Sequence, residues 1–312
     1  MFTSTAPAKP AKPKARLGDV LFAGIARGAG IVILIALAGV AVFLTVQGLP
    51  AFTASESALS GASSFAAYVW PLVFGTLLAA TLALLIATPL AIGVAMVVAF
   101  YAPRRLAGTV SYLIDLLAAV PSVVYGLWGI GFLGPRLKPL YAWLEQHLGF
   151  LPFFAGPASS TGRTILTASI VLAIMVVPII TAICREIFAQ TPQLHREAAM
   201  ALGATRWEMM RLAVFPYARS GMVSAMMLGL GRALGETMAV AMVLSASGIV
   251  TFNLISSTNP ATIASNIALN FPEATGVKVN VLIASGLVLF VITFAVNFAA
   301  RAIVARSQRE AT

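Results

Sequence analysis

The stretch from residue 188 to residue 216 reads FAQTPQLHREAAMALGATRWEMMRLAVFP and carries the signals of two short helices around a turn. Thr191 is a residue type that caps helix N-termini, and Pro192 is favoured as a first helical residue. Gly203 suits the left-handed position that follows the last turn of a helix. A first helix is therefore predicted between Pro192 and Gly203.

The second helix of this stretch is predicted to begin after Thr205. Thr205 and Glu208 have the spacing of a capping box. The helix is expected to end before Pro216, whose ring opposes helix continuation. From the residues alone, two interpretations of the pair are open, a docking surface for a groove on another protein or a plain connector.

Long charge-free stretches lie on both sides of this segment. They cover residues 28–55, 57–103, 116–135, 164–184, 237–272 and 279–300. A membrane-spanning helix needs about 20 mostly apolar residues. Six spanning helices are therefore predicted, near residues 28–47, 70–100, 107–133, 164–187, 218–247 and 280–303.

The positions of the basic residues predict the orientation of these six helices. Fifteen of the 20 Lys and Arg residues fall on the side of the two termini, four fall on the other side, and Arg232 lies inside a predicted span. Basic residues accumulate on the cytoplasmic side of membrane proteins. Both termini, and the segment between the fourth and fifth spans, are therefore predicted to be cytoplasmic.

Composition agrees with an all-α polytopic membrane protein. Only 10% of the 312 residues are charged and 60% are hydrophobic, whereas soluble domains carry about 25% charged residues. This excludes a soluble enzyme, and the net charge of +10 is accounted for by orientation and not by nucleic-acid binding. A single cysteine, Cys184, excludes an internal disulfide, and the two histidines have no second ligand nearby, so neither a metal site nor a cofactor is expected.

Four regions follow from these predictions. Residues 1–16 are expected to form a disordered basic cytoplasmic tail, and residues 17–69 the first spanning helix and an external loop. Residues 70–305 are expected to form the main transmembrane domain, which includes the segment 192–216. Residues 306–312 are expected to be a second cytoplasmic tail.

Two charged residues interrupt the fifth predicted span. Arg232 and Glu236 are four residues apart, so in a continuous helix they would share one face. Charges inside a membrane usually mark a transport pathway, although a structural ion pair is the alternative. Asp115 and Ser122, in the third predicted span, are further candidates for the pathway, with a solvated or hydrogen-bonded residue at the membrane interface as the alternative interpretation of Asp115. Pro121 and Ser122 are expected to open the helix there.

The segment 188–216 resembles the "EAA" loop of the membrane components of binding-protein-dependent ABC transporters. Its pattern is Glu-Ala-Ala, three residues, Gly, nine residues, an aliphatic residue, any residue, Leu-Pro. The residues that match at this spacing are Glu197, Ala198, Ala199, Gly203 and Pro216. Ala213 and Phe215 replace the usual Ile and Leu, which keeps the hydrophobic character and changes the identity.

Three further stretches narrow the resemblance. GRALGETMAV at residues 231–240, IDLLAAVPSVVYG at 114–126 and Gly75-Thr76 are similar to stretches of the PstC-type permease of phosphate-specific (Pst) ABC transporters. The resemblance covers roughly residues 70–305. It implies the MetI-like permease architecture and a phosphate pathway through the residues already singled out, namely Arg232, Glu236, Asp115 and Ser122.

The resemblance also implies partners. They are a homologous PstA-type permease subunit, two cytoplasmic ATPase subunits and an external phosphate-binding protein, assembled in a bacterial plasma membrane. The EAA loop would receive the motion of the ATPases. The sequence contains no Gly-x4-Gly-Lys-Ser/Thr motif, so ATP hydrolysis is assigned to the partner and this chain is not expected to be an enzyme.

Three other functions are open alternatives. A permease for sulfate or molybdate is the nearest rival within the ABC class. A self-contained secondary transporter or channel would need no coupling segment, and would be expected to carry more ionisable residues in its spans or an inverted repeat. A membrane-embedded enzyme would require acids and histidines clustered near one interface, whereas the ten acids here are scattered.

Overall fold

The computed structural model describes residues 17–309, and over this range the chain is helical with connecting loops. The predicted tail at residues 1–16 and the last three residues lie outside the described residues, while residues 306–309 still belong to the last helix. The helices are α1 Leu17–Gly48, α2 Phe65–Met96, α3 Arg104–Ala118, α4 Ser122–Trp128, α5 Gly134–Leu148, α6 Ile165–Ala189, α7 Gln193–Ala201, α8 Arg206–Met209, α9 Phe215–Gly235, α10 Met238–Val243, α11 Ile263–Asn270 and α12 Val277–Arg309.

The chain divides into two compact units, with the boundary between Val46 and Gln47. The described part of the first unit is the body of α1. Its side chains are almost all exposed and apolar, among them Phe22, Ile25 and Leu34. A helix that is hydrophobic all round and exposed in the isolated chain is typical of a membrane-spanning segment.

The second unit is built around α6, the most buried of the long apolar helices. One face of α2 packs along it, and this face carries an alanine in almost every turn. We call Ala79, Ala83, Ala87, Ala91 and Ala95 the alanine ladder, and each of them is at most 1% exposed. Small side chains four residues apart let two helix backbones approach closely. At the level of Ala91 the approach is close enough for the Thr181 hydroxyl of α6 to donate to the Ala91 carbonyl, at 3.3 Å.

The third predicted span is two helices and not one. The axis of Arg105–Ala118 meets that of Ser122–Leu148 at 92°. Pro121 lies at the bend with an extended backbone, because proline lacks the N–H that would continue the helix and its ring disfavours a helical conformation in the preceding residue. The predicted opening at Pro121 and Ser122 is confirmed, and it divides the predicted span over residues 107–133 into α3 and α4.

The fifth predicted span also differs from the structure. Helix α9 ends at Gly235, Glu236 has an extended backbone, and the short helix α10 ends at Val243. Residues 244–262 form a loop that pairs with the chain before α6, for example through the Ser159 N–H to the Ile255 carbonyl at 2.8 Å. A continuous helix over residues 218–247 is therefore wrong.

Over residues 17–309, four helices are long and apolar enough to cross a membrane, or five if the bent pair at Pro121 counts as one span. They are Val20–Thr53, Phe65–Tyr101, Ile165–Ala189 and Val277–Ala302, with the pair Arg105–Ala118 and Ser122–Leu148 as the fifth. The all-α architecture is confirmed, and six spans are not. The missing span is the one that contains Arg232, where two charges and the break at Glu236 divide the apolar sequence.

Candidate functional site

Arg232 lies in the last turn of α9, where its side chain is half-buried. Its Nε is fully buried and has no hydrogen-bond partner among the described residues. A buried donor without a partner is unfavourable, because the group has lost its water without a replacement. The Nε of Arg232 is therefore a donor that no described residue satisfies.

Arg232 lines a cleft of about 790 Å³ between α6, α9 and α12. Most of its wall is apolar. The polar side chains on the wall are Arg232, Ser224, Asn297 and Arg301, and the described residues that line the cleft include no Asp or Glu. The cleft therefore combines a low-dielectric wall with positive charge, which favours an anion over a cation.

Glu236 is at the break between α9 and α10 and is 8% exposed. Its Oε1 accepts a hydrogen bond from the Ala239 N–H at 3.2 Å, which satisfies one of the unpaired donors in the first turn of α10. Because the backbone is extended at Glu236, the shared helical face predicted for Arg232 and Glu236 is not formed. No ion pair within 4.0 Å joins the two side chains in the described structure.

Asp115 and Ser122 lie on either side of the bend at Pro121. Asp115 Oδ1 is 3.7 Å from Arg185 Nη2, in a pair that is open to solvent on the Asp115 side. The Tyr125 hydroxyl donates to the Leu117 carbonyl at 2.9 Å and so ties α4 back to α3 across the bend. Ser122 is half-buried at the first position of α4.

Helices α4 and α10 pack closely at Gly126. A Cβ added there would lie 2.9 Å from the Met242 sulfur and 3.0 Å from the Ala239 Cα. Arg232 lies in the last turn of α9, just before the break that leads into α10. The two interrupted helices thus bring the Pro121 bend, Glu236 and Arg232 into one region of the fold.

The segment 192–216 has its predicted turn. Gly203 has φ +85°, the left-handed conformation expected after α7. Thr205 and Glu208 form both hydrogen bonds of the capping box in front of α8. The Thr205 backbone N–H, followed by the Thr205 hydroxyl, holds the pKa of the Glu208 carboxyl below its usual value. The box is therefore intact at neutral pH and is lost only as the pH falls through that lowered pKa.

Two details of the segment were predicted wrongly. Thr191 does not cap α7, because its hydroxyl is buried without a partner and Pro192 occupies the N-cap position. The second helix does not end before Pro216 either, since α8 continues through a π-helical turn, Met210–Val214, into α9. The wider turn tolerates the proline, whose missing N–H would otherwise interrupt the hydrogen-bond pattern of the helix.

The EAA-type residues occupy distinct positions on α7. Glu197 and Ala198 are exposed, and Ala199 is half-buried against the core of the second unit. Glu197 Oε1 accepts from Gln193 Nε2 at 2.7 Å, one turn earlier. Close to them, Leu194 is 76% and Leu202 is 90% exposed. A short helix that exposes leucines next to alanines is a surface suited to a partner.

One contact that holds the loop before α11 was not predicted. Gly75 lies so close to this loop that an added Cβ would be 2.3 Å from the Ala261 carbonyl oxygen. Thr76 Oγ1 accepts from the Ile263 N–H at 2.9 Å. In the sequence the Gly75-Thr76 pair indicated only a family resemblance. The contact between Thr76 and Ile263 joins residues 187 positions apart, and such a contact has no local signal. Within the part of the chain that the structure describes, no cluster of three His, Cys, Asp or Glu residues could hold a metal ion.

Comparison with known protein families gives one model that matches most of the chain. The model for "Binding-protein-dependent transport system inner membrane component" matches residues 87–309. Among solved structures, a bacterial ABC transporter involved in the import of the acidic polysaccharide alginate has the same fold, with a TM-score of 0.60, 19% identity, and coverage of 91% of this chain and 96% of the other.

Curated relatives match over most of the chain and most of their own length. The phosphate transport system permease protein PstC 2 of Mycobacterium tuberculosis is 45% identical over 93% of this chain and 92% of its own length. The PstC protein of Xylella fastidiosa is 43% identical over 76% of this chain and 74% of its own length. The PstC protein of Mesorhizobium japonicum is 38% identical over 91% and 89%.

Proposed function

Because the chain belongs to the family of binding-protein-dependent transport system inner membrane components, and within it to the PstC-type permeases, we propose that it translocates inorganic phosphate into the cell. In this function it is the multi-pass permease subunit of an ATP-driven importer. The observation that carries the proposal is the position of Arg232 on the wall of a mostly apolar cleft whose described lining residues include no Asp or Glu.

Arg232 supplies the attraction for phosphate. Its guanidinium presents a planar fork of donors, which fits two oxygens of a tetrahedral anion at once. In a partly apolar cleft each of these hydrogen bonds is stronger than in water. Sulfate or molybdate would be held in the same way, so Arg232 alone does not choose between oxyanions.

Glu236 discriminates between phosphate and sulfate. Phosphate near neutral pH still carries an O–H, whereas sulfate carries none. An ionised Glu236 accepts a hydrogen bond from that O–H and repels an anion without one. Its Oε1 is already bonded to the Ala239 N–H, which fixes the carboxylate at the break between α9 and α10.

The two halves of the bent region complete the proposed path. Ser122 contributes a hydroxyl at the start of α4, and Asp115 lies beyond the bend on α3. The pairing of Asp115 with Arg185 favours a role in holding α3 to α6, so we propose that Asp115 borders the path and does not bind the ion.

Coupling to ATP hydrolysis is proposed for the segment 192–216, which we call the coupling segment. Its exposed Leu194 and Leu202 dock on one of two cytoplasmic ATPase subunits. A homologous PstA-type permease completes the translocation path, and an external phosphate-binding protein delivers the ion. This arrangement requires six crossings in a bacterial plasma membrane with both termini cytoplasmic, where α9 and α10 together serve as the fifth crossing, and it agrees with the distribution of basic residues.

Labelled-phosphate uptake tests the function. We expect Arg232→Gln to reduce uptake at least a hundredfold in cells without another phosphate importer, because the charge and the two-point contact are both lost. Arg232→Lys keeps the charge and loses the fork, so it should recover only part of the activity. The amount of each variant in the membrane is measured alongside.

Arg219→Gln is the matched control, since Arg219 lies on the same helix, is exposed and is not among the cleft residues. It should transport normally. Wild-type uptake by Arg232→Gln would refute the proposed role of Arg232, and uptake of labelled sulfate in place of phosphate by the unmodified protein would assign the chain to the rival oxyanion.

A further inference from the structure

The cleft that contains Arg232 also contains a second arginine, Arg301, near the end of the apolar part of α12. Asn297 lies four residues before Arg301, so both side chains project from one face of α12. Both line the same cleft as Arg232. Two positive side chains, Arg232 of α9 and Arg301 of α12, therefore line one cavity.

The polar residues of the cleft are spread along its length. On α9, Ser224 precedes Arg232 by eight residues, which corresponds to about 12 Å along a helix. Ser224 and Arg301 are exposed, and Asn297 is half-buried. Between them the wall is apolar, with Met227 and Leu228 on α9 and Ile179 on α6. The Ser224 hydroxyl already donates to the Ser220 carbonyl at 2.9 Å, so the charged donors of this apolar cleft are Arg232 and Arg301.

We propose that Arg301, with Asn297 beside it, is a second oxyanion-binding site on the cytoplasmic side of Arg232. This inference rests on the proposed function, and extends it from one ion contact to two. An ion that leaves Arg232 would otherwise enter an apolar cleft, where an unpaired charge is strongly disfavoured. Arg301 offers the next fork of donors, and Asn297 offers an amide N–H.

The ligand we assign to this site is free inorganic phosphate. A lipid headgroup offers the same phosphate oxygens, and an arginine near the end of a spanning helix is a usual partner for one. The absence of acids from the cleft lining suits both sources equally. The experiment therefore varies free phosphate and anionic lipid separately.

Thiol labelling can report on the occupancy of the cleft. Cys184 is the only cysteine of the chain and is fully buried, so an introduced cysteine gives a clean signal. Ser224→Cys places the thiol at an exposed position in the cleft. The complete transporter is prepared in inside-out vesicles, and the rate of reaction with a membrane-impermeant thiol reagent is measured as inorganic phosphate is raised.

We expect phosphate to slow the labelling of Ser224→Cys. Adding Arg301→Gln should raise the phosphate concentration for half-protection about tenfold, the amount expected when one charge-assisted hydrogen bond is lost. Adding Arg219→Gln should leave it unchanged. Leu202→Cys, at an exposed position in the coupling segment, should show no protection at all.

Other results overturn the inference. Labelling that ignores phosphate, but slows when phosphatidylglycerol is added to phosphatidylcholine vesicles, would assign Arg301 to a lipid headgroup. Labelling that responds to neither would leave the cleft without an anion site at Arg301. Phosphate uptake separates this inference from the proposed function. If the Ser224→Cys protein takes up phosphate normally but phosphate does not slow its labelling, only the second site is refuted. If Arg232→Gln fails to impair uptake, the proposed role of Arg232 is refuted.

Discussion

The rings of Trp207 and Phe215 meet edge to face, with centroids 6.3 Å apart and planes at 89°. Phe215 also lies 6.0 Å from the ring of Phe188, a fully buried residue near the end of α6. Phe188 in turn contacts Phe100, in the π-helical turn Val97–Tyr101 that follows α2, with ring centroids 6.2 Å apart. A row of four aromatic rings therefore connects the exposed coupling segment to the α2–α6 core.

This row predicts that Trp207 transmits force from the coupling segment. Trp207→Ala removes an edge-to-face contact, which is worth about 0.5–1.5 kcal/mol beyond the area it buries. We expect ATP hydrolysis to continue in the assembled transporter while the phosphate carried per ATP falls several-fold. Trp207→Phe keeps a ring and should retain most of the coupling. Equal transport per ATP in the Ala and Phe variants would contradict a mechanical role.

Gly203 gives a test of the turn itself. Its φ of +85° is strained for any side chain, although an added Cβ would meet no atom within 4 Å. Gly203→Ala should therefore destabilise the turn by about 1 kcal/mol through the backbone alone. Asparagine tolerates the left-handed region better, so Gly203→Asn should be the milder change. Coupled ATPase activity measures both, and a more severe effect of Asn than of Ala would point to a crowded docking surface instead.

Glu236 can be tested so that its charge and its cap are separated. Glu236→Gln keeps an oxygen that accepts from the Ala239 N–H and removes the charge, whereas Glu236→Ala removes both. We expect Gln to lower phosphate uptake and relax discrimination against sulfate without lowering thermal stability. Ala should also cost about 1 kcal/mol of stability through the lost cap. If Gln transports phosphate as the wild type does, Glu236 is only a cap.

Gly75 predicts a large loss of stability from a small change. In Gly75→Ala the new methyl group would overlap the Ala261 carbonyl oxygen at 2.3 Å, and backbone atoms cannot move aside as a flexible side chain can. We expect a destabilisation of about 1–3 kcal/mol, the usual range for overpacking. Gly93→Ala, on the same helix with open space around it, is the matched control and should be neutral. Thermal unfolding in detergent compares the two.

Asp115 should prove dispensable for the ion. Its pair with Arg185 is 3.7 Å long and more than half exposed on the Asp115 side, so we expect Asp115→Asn to change stability by less than about 1 kcal/mol. Phosphate uptake should stay within twofold of wild type. A loss as large as that of Arg232→Gln would move Asp115 into the ion path.

The features that could be predicted from the sequence are local ones. The Gly203 turn, the Thr205–Glu208 box and the opening at Pro121 each depend on residues a few positions apart. Apolar stretches likewise identify long helices, since length and hydrophobicity alone decide whether a helix can cross a bilayer.

Other features depended on distant partners and were predicted wrongly or missed. Residues 244–247 have no charge and would extend a helix, but they are held in a loop by the chain around residue 259, as in the Ser247 N–H to Asn259 carbonyl bond of 2.8 Å. The separation of Arg232 from Glu236 has a different cause, the extended backbone at Glu236 between α9 and α10. Arg301 was not predicted as a site residue, because α12 and α9 are adjacent only in the folded chain.

The alanine ladder restricts where an ATP-driven movement can occur. On the α2 side this contact consists of methyl groups, which have no rotamers to change, and the Thr181 hydroxyl reaches the Ala91 carbonyl across it. We therefore expect little sliding between α2 and α6. We expect α2 and α6 to move together as one rigid body during transport. The ATP-driven movement would then occur between α9 and α12, which line the cleft and leave space between them.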